Sequence, residues 1–152
     1  MFSLQIKKIT KDNWEDVFTI SVHEEQKTFV PSTVESLAFA YLKPWDEALD
    51  PYAIYKENEI IGAFYLSYTP NSENNYWLGG FQIDKRFQGQ GLGKAALHRV
   101  IDFIYEKHPN CKQILLTVEK ENHQAIRLYE GAGFTTQNKE NQYNEAIFKL
   151  AK

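Results

Sequence analysis

Cysteine is almost missing from this chain. Cys111 stands alone among 152 residues, so no disulfide can form within it. Long apolar runs are missing as well: no stretch nears the roughly 18 apolar residues that a membrane helix needs. The N-terminal stretch Met1-Phe2-Ser3-Leu4-Gln5-Ile6 has no basic segment leading into an apolar one, which argues against a secretory signal. Charge of one sign is scarce too. The chain sets 17 Lys and Arg against 20 Asp and Glu, a net −3 with no basic block, which excludes the electrostatic footprint of a nucleic-acid binder. These absences predict a cytoplasmic protein that partners neither membrane nor nucleic acid. What is present is an ordinary globular mix, 43% hydrophobic and 24% charged, rich in aromatics with ten Phe, nine Tyr and three Trp. The length suits one domain over residues 1–152.

Residues 4–9 alternate loosely and predict a first strand. Asp12 with Glu15 three residues on has capping-box spacing, and Trp14, Val17, Phe18 and Val22 follow at helical intervals. Ser32 and Glu35 repeat the signal, Val34, Leu37, Ala38 and Tyr41 continue it, and Pro44 stops that helix. Residues 52–56 and 60–68 read as a hairpin, and residues 76–83 add a third strand to an antiparallel meander. Gly79-Gly80 inside that strand predict a bulge or a close backbone approach. A helix runs from Leu92 through Ala96, Val100 and Ile104 to His108-Pro109. A strand over 113–118 follows, then a helix over 125–130 with Gly131 as its C-cap, and a closing hairpin of 134–137 with 144–150. The order β-α-α-β-β-β-α-β-α-β-β describes an α/β (α+β) domain on a mixed, mostly antiparallel sheet flanked by helices.

The segment Gln88-Gly89-Gln90-Gly91-Leu92-Gly93-Lys94 follows a strand and opens a helix. Glycines let main-chain N–H groups approach a ligand, and the helix N-terminus adds positive potential, so the loop is suited to phosphate. It is not a nucleoside-triphosphate loop, because position 88 lacks the first glycine and position 95 is Ala where a metal-binding hydroxyl belongs. Gly91-Leu92-Gly93-Lys94-Ala95-Ala96 formally matches a dinucleotide fingerprint, with Glu119 in reach as the ribose acid. However, residues 84–90 separate the strand from that match, and the antiparallel meander does not belong to a doubly wound sheet.

A third pattern, Gln88-x-x-Gly91-x-Gly93 after Phe81-Gln82-Ile83-Asp84, resembles the acyl-CoA pyrophosphate loop of the GNAT N-acetyltransferase superfamily. A second block resembles the same family: Asn122-x-x-Ala125-x-x-Leu128-Tyr129-x-x-x-Gly133-Phe134. The two blocks stand in the family's order, and the remaining elements match its arrangement. Shorter segments, 23–30 and 36–41, resemble bacterial diamine or spermine/spermidine acetyltransferases.

The resemblance implies residues 1–152 as one GNAT domain, acetyl-CoA as co-substrate and no metal. It also implies a small primary amine, most readily a polyamine or diamine, as acceptor. Phe81, Gln82 and Ile83 would pair through their main chain with the pantetheine arm, where β-strands splay apart. Gln88, Gly89, Gln90, Gly91, Leu92, Gly93 and Lys94 would hold the pyrophosphate, although Lys94 also suits a solvated first turn. Asn122 suits a helix N-cap, a cofactor contact, or both. Tyr129 takes the family's general-acid position, protonating the departing thiolate after direct attack by the amine. The family's strand acid is replaced here by Leu78-Gly79-Gly80-Phe81, so the base stays open among Glu119, Glu24, Glu25, His23 and a water chain. Glu24, Glu25 and Glu119 are the candidate amine contacts, with Asp46 and Glu47 at the rim. Cys111 lies away from the motifs, which argues against a covalent route. The resemblance is compatible with a homodimer. Other acceptors stay open, namely a protein N-terminus, a lysine or an amine antibiotic, as does a sensor that binds acyl-CoA without turnover.

Overall fold

The computed structural model describes residues 3–152; Met1 and Phe2 of the N-terminal stretch lie outside the described residues. The elements run β1 (Leu4–Lys8), α1 (Trp14–Val17), α2 (Thr33–Leu42), β2 (Ala48–Lys56), β3 (Glu59–Tyr68), β4 (Tyr76–Ile83), α3 (Leu92–Lys107), β5 (Gln113–Val118), α4 (His123–Gly131), β6 (Thr135–Glu140) and β7 (Ala146–Ala151). This is the predicted order. The strands form one seven-stranded sheet, β1-β2-β3-β4-β5-β7-β6, antiparallel throughout except between β4 and β5. Among the described residues no helix is long and apolar enough to cross a membrane.

The stripe Leu92, Ala96, Val100 and Ile104 recurs every four residues, and all four are fully buried. It lays α3 on one face of the sheet, against Phe64, Leu66 and Ile114. On the other face Val17 and Ile20 pack on Ala53, Tyr55 and Ala63.

The single parallel junction is the fold's opening. β4 and β5 share one rung, Trp77 with Leu115. Beyond it β4 continues to Ile83 unpaired on that side, so the two strands part. The predicted irregularity at Gly79-Gly80 is there as a register shift: Tyr65 pairs with Gly79, but Ala63 pairs with Gln82. A Cβ on Gly79 would overlap the Tyr65 ring, so this glycine is what lets the ring lie across β4.

Local readings at three helices need correction. α1 is one turn, not a helix reaching Val22, because Asp84 captures the chain: Ser21 N–H donates to Asp84 Oδ2 at 2.9 Å and Lys85 N–H to the Ser21 carbonyl at 2.8 Å. Its N-cap is Asn13 rather than Asp12, and the Asn13 side chain is engaged with Thr10 N–H and the Lys8 carbonyl. α2 keeps its Ser32–Glu35 capping box but is rotated: Val34 and Tyr41 are 57% and 86% exposed, while Thr33 and Ser36 are buried. Small residues on that face let the helix approach Gly80 closely, with Ser36 Oγ only 3.1 Å from where a Cβ would stand. Gly131 ends α4 from within, and Ala132 is its C-cap.

Candidate active site

β4 runs into a short turn at 85–87, and Asp84 anchors it. The Asp84 carboxylate is 1% exposed and accepts from Arg86 Nε at 2.8 Å, Arg86 N–H at 2.9 Å and Ser21 N–H. Burial alone would raise its pKa, but these donors outweigh burial and hold it below the usual carboxylate value. Gln88 then folds back. Its Nε2 donates to the Ile83 carbonyl at 2.9 Å and to Gln26 Oε1 at 2.9 Å, and Gln26 Nε2 donates to Gln88 Oε1 at 3.2 Å. This amide pair fastens the segment before α2 to the glycine loop. Gly89 and Gly91 both have φ 78, a conformation that costs a side-chain-bearing residue, and Gly91 caps α3. Nothing lies within 4 Å of a Cβ placed on Gly89, and only Ile83 Cγ1, at 4.0 Å, near one on Gly93. The helix start therefore opens onto free space, with exposed Lys94 beside it.

That space is one end of a cavity of about 460 Å³. The cavity brings together Phe81, Gln82, Ile83, Gln88, Gly89, Gly91, Gly93, Lys94, Asn122 and Tyr129 under a roof of Val22, Phe29 and Val30. Asp84 N–H donates to the Ile61 carbonyl of β3 at 2.7 Å, so by strand alternation the Ile83 main chain points the other way, into the gap beside β5. A second cavity, of about 750 Å³, approaches from the opposite side of the gap. The two share Phe29, Val30, Phe81, Asn122 and Tyr129. Asn122 is the N-cap of α4, its Oδ1 accepting from Ala125 N–H at 3.4 Å. Tyr129 sits on the next turns of α4, edge-on to Phe134 at 5.8 Å. Burial pushes its phenol well above the ordinary tyrosine value, so the proton stays on it.

Over residues 14–134 the chain matches the acetyltransferase (GNAT) family. It is 35% identical over 141 residues to the spermine/spermidine N(1)-acetyltransferase of Bacillus subtilis, which covers 87% of this chain and 88% of that protein. The chain belongs to the GNAT acetyltransferase family. Two solved GNAT structures share its fold. An aminoglycoside acetyltransferase in complex with coenzyme A superposes at TM-score 0.79 and 15% identity, covering 99% of this chain and 95% of that one. Spermidine N-acetyltransferase from Vibrio cholerae, in complex with CoA and spermine, superposes at 0.73 and 16% identity, covering 97% and 95%. A sheet with only one parallel junction also displaces the dinucleotide reading, since a doubly wound sheet is mostly parallel.

Within this GNAT fold, some expected residues lie apart from the cavities. Leu92 is fully buried in the core, which leaves only its main chain at the loop. Gln90 is exposed and donates through Nε2 to the Arg86 carbonyl at 3.4 Å. Glu24, Glu25, Glu119 and Glu47 line neither cavity. Glu24 faces solvent and pairs with Lys27 at 2.8 Å, and Glu119 offers its carbonyl to Asn122 N–H at 3.0 Å. The acids of the second cavity are Glu35, Asp46 and Glu145, of which only Asp46 was expected near the site. Gln82 contributes more than its main chain, since its Nε2 donates to the Pro31 carbonyl at 2.9 Å and ties the roof to β4. The Cys111 thiol is fully buried and burial pushes it up, in keeping with a structural cysteine.

Proposed function

We propose that this acetyltransferase moves the acetyl group of acetyl-CoA onto a primary amine of a polyamine or diamine such as spermidine or spermine. The observation that carries the reading is the meeting of two cavities at Phe81, Asn122 and Tyr129, one from the glycine loop and one from the acid-lined side. The Bacillus relative, 35% identical, supports the acceptor class. The residues present suit the donor. Gly89 and Gly93 leave room for a pyrophosphate at the start of α3, Gly91 lines the same cavity, Lys94 adds charge, and the outward N–H of Ile83 suits a carbonyl of a pantetheine arm.

The transfer forms a C–N bond as the C–S bond breaks. The amine nitrogen loses a proton to solvent, and Tyr129 gives its own to the departing sulfur. Main-chain N–H groups near Ile83 steady the carbonyl oxygen as charge gathers on it.

The test is thiol release with a panel of spermine, spermidine, putrescine, a peptide with a free N-terminus, a lysine peptide and an aminoglycoside. Turnover should be fastest with the polyamines. Turnover only with a peptide or an aminoglycoside would move the acceptor class, and none at all would leave an acyl-CoA sensor. Calorimetry should show acetyl-CoA binding more tightly than NAD.

A further inference from the structure

We propose that Phe39, Trp45 and Tyr65, closed at one end by Asp46, form a subsite for the second ammonium group of the amine, so that the enzyme selects chains carrying two or more charges over monoamines. This rests on the acceptor reading above. The three rings come from α2, the segment after it, and β3. Phe39 and Trp45 lie 4.9 Å apart, Phe39 and Tyr65 6.1 Å, and Trp45 stacks over Tyr65 at 6.2 Å and 17°. They make a continuous aromatic wall of the larger cavity. Ring faces attract a cation, and more strongly once it is partly desolvated. Gly79 makes the wall possible, because a side chain there would displace Tyr65.

Asp46 is a half-buried carboxylate held by neutral donors. Ser67 Oγ donates to its Oδ2 at 2.8 Å and Asn75 Nδ2 to its Oδ1 at 2.8 Å, while Trp77 Nε1 fixes Asn75 by donating to Asn75 Oδ1 at 2.8 Å. Among the described residues no Lys, Arg or His pairs with it. Among the described residues lining the cavity, the one basic side chain, Lys27, is engaged by Glu24. A positioned carboxylate without a counter-charge, set against an aromatic wall, is complementary to an ammonium group that arrives with the ligand. A monoamine at the Phe81 junction brings no second charge for Asp46, whereas a polyamine brings one.

The experiment measures kcat/KM for spermidine and for n-propylamine with wild type, Asp46→Asn and Trp45→Ala, alongside their melting curves. Wild type should favour spermidine strongly. The spermidine-to-propylamine ratio should fall about 10- to 100-fold in Asp46→Asn, the size expected for one lost charged contact. It should fall also in Trp45→Ala, whose half-exposed ring is removed without opening the core. Wild type that uses both amines equally, or variants that slow both in proportion, would overturn the subsite and leave the acceptor reading standing. Wild type that turns over no amine would overturn both.

Discussion

A tyrosine that is to protonate a thiolate must keep its proton until the sulfur departs. On the proposed reading Tyr129 is that tyrosine, and burial, which raises its pKa well above the ordinary 10.0, keeps the proton on it. Tyr129→Phe should therefore lower kcat by about 10²- to 10⁴-fold, with acetyl-CoA affinity little changed in calorimetry. In wild type kcat should show no alkaline fall up to pH 10.0, because a raised pKa keeps the phenol protonated through that range. The sequence singles Tyr129 out from nine tyrosines by its place after Leu128 and before Gly133-Phe134. Asp46 was expected only at the rim, and Glu145 carries no such signal. They lie 99 positions apart in the chain, and their common cavity exists only once the sheet has formed.

Elements whose pattern agreed with their packing were legible, and those captured by a distant group were not. α3 keeps one apolar stripe from end to end, so its period and its buried face agree. α1 carries a helical pattern to Val22 that loses to two hydrogen bonds made at the foot of β4, and no local rule registers Asp84 from 63 residues away. The rotation of α2 reflects close approach to the bulge, a tertiary demand met by Ser36 and Thr33 rather than by Val34 and Tyr41. The glycine loop was readable because its constraint is local. Gly91 caps α3 at φ 78, so Gly91→Val should strain the turn by about 1–2 kcal/mol and put methyl groups at the mouth of the cleft. A lowered melting temperature with at least tenfold weaker acetyl-CoA binding is expected; wild-type affinity would remove the loop from the donor site.

Across the whole molecule, Asp84 joins the N-terminal segment, β4 and the turn into the glycine loop. Its folded pKa lies below the ordinary 3.8, so its contribution to stability is complete above that value and is lost as pH falls through the lower folded value. Denaturation followed from pH 6 downward should show stability falling below about pH 4. Asp84→Asn should flatten that fall and cost about 2 kcal/mol at neutral pH, since a buried amide cannot accept from all three donors. The order of elements could be read from the chain, but the parting of β4 from β5 after a single rung was implied only by the family resemblance, because it belongs to neither strand alone. That parting leaves the sheet unfinished in its middle. On the proposed reading, a donor whose arm carries amides supplies the missing rungs, while a bare thioester supplies none. Discrimination between donors then resides in the peptide backbone itself rather than in the identity of the side chains around it.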